Sequence, residues 1–179
     1  MIETPCRDVP LEEWAAALST ARSEGFDFFD WLTAVDETDA QESPGFDLVC
    51  HVMNSSTGHS RSGSLARLLV RTRVPNGQSA ASATGVWAGA AWHERETHEM
   101  FGIDFDGFDD GTDLGLRPLL LPNGFDGTPL RKSFMLASRA SKPWPGGKEP
   151  GEGGAGHSDK PARRKITAPG VPDSTWGPR

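Results

Sequence analysis

Past Met135 the chain almost stops carrying large apolar residues, and Pro and Gly recur through Lys142-Pro-Trp-Pro-Gly-Gly-Lys-Glu-Pro-Gly-Glu-Gly-Gly154. A stretch so poor in apolar surface cannot offset the entropy of ordering its own backbone. Whatever folds must therefore be built from residues 1–137, with 138–179 as a Gly/Pro-rich basic tail that is disordered or wrapped on a partner. With 179 residues and a hydrophobic fraction of 36%, one modest core and much irregular chain are expected.

Charge divides at the same place. Residues 1–138 hold 10 Lys and Arg against 21 Asp and Glu, whereas residues 139–179 hold 8 against 4. An acidic body lacks the clustered basic face that phosphate neutralisation requires, so no nucleic-acid partner is expected. Arg163-Arg-Lys165 supplies too few charges to change that. Two cysteines, Cys6 and Cys50, cannot provide the four thiolates of a typical iron–sulfur cluster or a Cys-rich zinc site. No run of 18 apolar residues exists and the N-terminus lacks a signal-peptide layout, so the expected location is cytoplasmic, with membrane contact only through partners.

Within the body, Val9 to Glu24 places Leu11, Trp14, Ala15, Leu18 and Ala21 at helical spacing and ends at Gly25. Phe26 to Val35 and Phe46 to Met53 read as strands around an acidic Pro-Gly turn. Leu65 to Val74 is a third strand, with Leu68, Val70, Thr72 and Val74 alternating against Leu69, Arg71 and Arg73 until Pro75-Asn-Gly77 breaks it. Ser82 to Gly102 reads as helix in two pieces around Gly85 and Gly89, and from Ile103 the chain turns loop-like. The expected class is α+β: an N-terminal helix on a small, mainly antiparallel sheet, then a helix and an extended loop-rich segment.

The run His93-Glu-Arg-Glu-Thr-His-Glu99 is seven polar residues between Ala91-Trp92 and Met100-Phe101. Wound as a helix it leaves two turns without an apolar face, so it is either solvated or pairs its charges with a partner. Trp92 and Phe101 argue against full solvation, since each forgoes about 1.5–3 kcal/mol if left in water. Charges held near protein must then find counter-charges.

The run continues through Ile103-Asp-Phe-Asp-Gly107, then Arg117-Pro-Leu-Leu-Leu-Pro122, then Gly127-Thr-Pro-Leu-Arg-Lys-Ser-Phe134. In order and spacing these three blocks, spanning 94–134, resemble the signature of the C subunit (30 kDa type) of proton-pumping NADH:quinone oxidoreductase, respiratory complex I. Glu94, Arg95, Glu96, Met100, Phe101, Gly102, Ile103, Phe105 and Gly107 match the first block. Arg117, Leu119, Leu120, Leu121 and Pro122 match the second, and Gly127, Pro129, Leu130, Arg131 and Lys132 the third. Four departures mark a divergent paralogue: Glu99 stands for the usual aspartate, Phe108 to Asp113 replace a His-Pro-Asp turn, Pro118 replaces an arginine, and Thr128 a histidine.

The resemblance implies a structural subunit of the peripheral arm, with no catalytic residue, cofactor or metal of its own. It would dock against the large D-type subunit and a quinone-site iron–sulfur subunit, on the cytoplasmic face of the membrane. NADH, FMN, iron–sulfur clusters and quinone would be used by other subunits. Glu94-Arg95-Glu96 would face charges on the large subunit, Met100 and Phe101 would enter the interface core, and Arg131-Lys132 would lock the motif's exit.

The same module in a membrane-bound hydrogenase or another donor:quinone dehydrogenase is the neighbouring reading. A stand-alone metallohydrolase on His93, Glu94 and His98 is a remote one. The two histidines stand five apart, about 140° around a helix, and no third ligand is evident; an acid–His pair between Glu94 and His98 is the simpler expectation. Asp104, Asp106, Asp109, Asp110 and Asp113 fail the EF-hand spacing, and Gly146-Gly-Lys-Glu149 fails as a phosphate loop. A free protein-binding module without a redox link is the remaining option.

Overall fold

Three ten-residue segments dictate the sheet: β2 (Phe28–Glu37) and β4 (Ala66–Pro75), with period-two burial, and the central β3 (Gly45–Asn54), buried over most of its length. A computed structural model describes residues 4–56 and 65–135, and the tail expected over 138–179 lies outside those described residues, as do Gly146 to Glu149 and Arg163 to Lys165. In register, Leu32, Cys50 and Val70 form one cross-strand row, Ala34, Leu48 and Thr72 the next, and Asp36, Phe46 and Val74 a third. All nine side chains are buried, which fixes the register because a one-residue slip would turn each row outward.

β2, β3 and β4 pair antiparallel, and a short strand absent from the sequence reading, β1 (Cys6–Val9), lies parallel to β4, giving the order β1-β4-β3-β2. Val9 thus ends a strand instead of starting a helix. A single 3-10 turn (Leu11–Glu13) leads into α1 (Trp14–Ser23), whose buried stripe is Trp14, Ala17, Leu18 and Ala21. The Trp14 indole N–H donates to the Ala81 carbonyl at 3.0 Å, tying α1 to the segment after β4.

From Ser82 to Gly89 the chain forms turns in place of the expected first helical piece, and α2 runs from Ala90 to Phe101. Gly102, at φ 70°, closes α2 by donating its N–H to the His98 carbonyl at 2.7 Å. Ile103 does not begin a loop directly: β6 (Asp104–Asp106) pairs parallel with β5 (Ser79–Ala81). Both helices cover one face of the sheet, so Trp14, Leu18, Phe46, Trp87, Phe101, Ile103 and Phe105 share one core. On the opposite face Trp31 stacks on His51, whose Nδ1 lies 2.7 Å from the Asp30 carboxylate.

Candidate functional site

α2 presents Ala90, Glu94, Thr97 and Phe101 to the core at spacings of four, three and four. Glu94 is 0% and Thr97 2% exposed. The polar run therefore does have an inward stripe, with a carboxylate and a hydroxyl occupying two positions that ordinarily hold apolar residues. Glu94 accepts hydrogen bonds from the Ser82 hydroxyl at 2.6 Å and the Ala83 N–H at 2.5 Å. Burial pushes its carboxyl up to about 7 against the pull of those two bonds. Ser82 also meets the Thr84 hydroxyl at 2.7 Å, and Thr84 accepts the Asp109 N–H at 3.2 Å, so the buried acid is linked to the start of the loop-rich arm.

A second face of α2 holds that arm. Arg95, 7% exposed, donates from Nε to the Arg117 carbonyl at 3.1 Å and from Nη2 to the Pro118 carbonyl at 2.8 Å. One turn on, the Glu99 carboxylate accepts the backbone N–H groups of Leu119 (2.8 Å), Leu120 (2.8 Å) and Leu121 (3.1 Å). Arg117 pairs with Asp110 and reaches the Thr112 hydroxyl at 3.1 Å, which shapes the turn before it. Hydrogen bonds to charged groups contribute about 1.5–3 kcal/mol each where shielded from water, and with Phe108 and Leu116 packed against the core these contacts hold the arm to α2.

The third block closes on the end of α2. Leu130 N–H donates to the Met100 carbonyl at 3.1 Å, and Arg131 Nε donates to the Phe101 carbonyl at 2.5 Å. The Arg131 guanidinium lies 4.9 Å from the centroid of Phe46. Lys132 N–H reaches Asp36 at 2.7 Å and its Nζ reaches Asp39 at 2.7 Å, fastening the arm to the end of β2.

Several residues expected at a partner surface lie inside this chain instead. Glu94, Phe101, Ile103 and Phe105 are at most 5% exposed, with Phe101 edge-on to Phe46 at 6.2 Å. The physical reason is the stripe on α2 together with β6, which carries Phe105 back into the core. Met100 is only partly buried, Glu96 is exposed, and Gly107 supplies a φ of 76°. Pro122 and Lys132 are exposed, Pro129 is half-buried, and the large apolar side chains left facing outward are Trp92, Leu114, Leu120, Leu130 and Met135 on α2 and the arm, with Phe28 and Val35 on β2.

The expected Glu94–His98 pair does not form: His98 Nδ1 lies 3.1 Å from both the Ile103 carbonyl and the Asp104 carboxylate, and His93 packs edge-on to Phe29 at 5.3 Å. Among the described residues, no three His, Cys, Asp or Glu side chains gather as metal ligands would, and no helix is long and apolar enough to cross a membrane. Asp36, Ser82 and Thr84 give no local signal of their role, because beside neighbours two residues away their further partners lie 12 to 96 residues distant along the chain.

Residues 7–140 match the family model described as respiratory-chain NADH dehydrogenase, 30 Kd subunit. Over 124 residues, 69% of this chain and 60% of the relative, the chain is 34% identical to a C-type subunit, the second of that type, of the NADH-quinone oxidoreductase of Rhizobium meliloti (strain 1021). It is also 34% identical over 158 residues to the C/D subunit of the NADH-quinone oxidoreductase of Bdellovibrio bacteriovorus, covering 86% of this chain but 26% of that protein. The chain thus spans 60% or less of these two relatives. A solved structure described as Nqo5 of the trypsin-resistant fragment (1-134) superposes with a TM-score of 0.51 at 25% identity, covering 59% of this chain and 80% of that one.

Proposed function

This chain belongs to the respiratory-chain NADH dehydrogenase 30 Kd subunit family, and on that premise we propose that it is a structural subunit of an NADH:quinone oxidoreductase, docked on the D-type subunit. The observation that carries this reading is the Bdellovibrio relative, whose name joins C and D and which matches 86% of this chain within 26% of its own length. Joining two modules in one polypeptide makes their meeting intramolecular and suits partners that must stay together. The signature geometry supports the same role. Its charged residues are spent holding an arm rigid, and a rigid arm bearing outward Leu114, Leu120 and Leu130 loses little entropy on docking.

The chain acts here by shape and contact. Electron transfer from NADH to quinone, with the FMN, iron–sulfur clusters and proton translocation it involves, belongs to neighbouring subunits. The quinone-site iron–sulfur subunit is the second neighbour, and the membrane is reached through these partners on its cytoplasmic face.

Purification of the tagged full chain from its own cells, with the co-purifying chains identified by mass spectrometry, tests this. A D-type chain and an iron–sulfur chain are expected at equal stoichiometry. Leu120→Asp combined with Leu130→Asp, both at exposed positions, should deplete them at least tenfold while the free chain unfolds at its usual temperature. A chain that purifies alone overturns the reading.

A further inference from the structure

Between α2 and the turn at 109–117 lies an open cavity of about 510 Å³, walled by Ala88, Ala91, Trp92 and Arg95 on the helix side and by Asp109 to Thr112 and Arg117 opposite. Arg95 is the unusual member. It is 7% exposed, two of its three nitrogens are committed to the carbonyls of Arg117 and Pro118, and Nη1 has no hydrogen-bond or ion-pair partner among the described residues. The nearby carboxylates are otherwise engaged: Asp110 is held by Arg117 and Thr112, and Asp109 accepts the Gly111 N–H at 2.7 Å. A guanidinium so placed faces the cavity with no carboxylate paired to it, although a carboxylate is its strongest partner.

Trp92 makes the cavity a receptor for a protein side chain. It is 63% exposed, and the Arg95 guanidinium lies 5.3 Å from its ring centroid. The indole is fixed from one side and leaves most of its surface bare beside a charge that lacks a counter-ion. Trp and Arg are among the residue types enriched at the energetic centres of protein interfaces.

We propose that this cavity receives an Asp or Glu side chain of the docked subunit, its carboxylate binding Arg95 Nη1 and its backbone covering Trp92. This rests on the docking reading above and gives it a chemistry, since an acid entering here completes the charge of Arg95 and buries the tryptophan in one step. A basic side chain drawn to Asp109 is the opposite outcome, and the test separates them.

The full chain and its purified D-type partner are titrated against each other at two salt concentrations. Arg95→Gln keeps an amide donor near the position of Nε and removes the charge, with hydrogen exchange at residues 117–121 reporting any loosening of the arm; Trp92→Ala alters an exposed position. Each should weaken association ten- to a hundredfold, and one Asp→Asn or Glu→Gln variant of the partner should cost nothing further in the Arg95→Gln background. If Leu120→Asp with Leu130→Asp abolishes association while both cavity variants bind normally, docking stands and the cavity proposal falls. If no partner acid couples to Arg95, or if a partner lysine or arginine couples to Asp109, the proposal is overturned. If the chain and its D-type partner do not associate at all, the docking reading itself fails.

Discussion

The carboxylate of Glu94 receives the backbone N–H of Ala83 at 2.5 Å inside a site with no solvent exposure. Its carboxyl is raised from 4.5 to about 7, with burial the largest cause and the bonds from Ser82 and Ala83 opposing it. A raised folded-state value means the protonated form is favoured on folding. That contribution is full below about pH 4.5 and is lost as pH rises through 7. The wild-type chain should therefore lose up to about 3 kcal/mol from this residue between pH 5 and pH 8. Glu94→Gln cannot ionise, so its unfolding free energy from urea titration should stay flat over that window, about 1 kcal/mol below wild type at pH 5 and above it at pH 8. Parallel curves for the two proteins would sink this account.

Glu99 is the arm's principal clamp, because one carboxylate serves the amides of Leu119, Leu120 and Leu121. Glu99→Ala should leave the core intact, since none of those leucines belongs to it. The expected effect is local. Hydrogen exchange at the three amides should accelerate by one to two orders of magnitude, equivalent to about 1–3 kcal/mol of lost protection. Glu99→Asp, one methylene shorter, should fall between the two. Unchanged exchange in the alanine variant would show that the arm is held elsewhere.

How far the sequence revealed this arrangement differs by element. β4 is legible because its alternation is a local pattern, with Thr72 in place despite being polar, and β2 and β3 because aromatic and β-branched residues flank an acidic Pro-Gly turn. β1 is not: Cys6 to Val9 is four residues bounded by prolines, and it gains strand character only from β4, more than sixty residues away. The polar run contained a readable clue in the spacing of Ala90, Glu94, Thr97 and Phe101. Charge ordinarily marks surface, whereas Glu94 is buried against donors from a turn outside the helix. The grip of Glu99 on three amides depends on a loop shape that no residue pattern encodes.

Gly102 is required by its neighbours as well as by its backbone. At φ 70° a side chain costs about 1–2 kcal/mol, and a Cβ would also stand 2.8 Å from Arg131 Nη2 and 3.2 Å from Thr128 Cγ2. Gly102→Ala should thus lower the unfolding temperature by roughly 4–8 °C per kcal/mol lost. Part of that loss should vanish in an Arg131→Ala background, because the clash is already gone. Full additivity of the two substitutions would refute the proposed contact.

Asp36 supplies the last test, since it joins the end of β2 to the last residues of the arm. It is 4% exposed and accepts the Thr38 N–H at 2.9 Å, the Thr38 hydroxyl at 2.6 Å and the Lys132 N–H at 2.7 Å. Burial pushes its carboxyl upward, but the bonds from Thr38 and Lys132 outweigh it and hold the group below its ordinary 3.8. A depressed value contributes stability above the unfolded pKa and loses it as pH falls through the folded one. Acidification below about pH 4 should therefore loosen residues 130–135 from β2 before the Glu94 site is harmed, because protonation favours the latter. Asp36→Asn should reproduce that loosening at neutral pH, costing about 1–3 kcal/mol and exposing the Arg131–Phe134 segment to proteolysis. If cleavage there is no faster in Asp36→Asn than in wild type, the Lys132 contact does not anchor the arm.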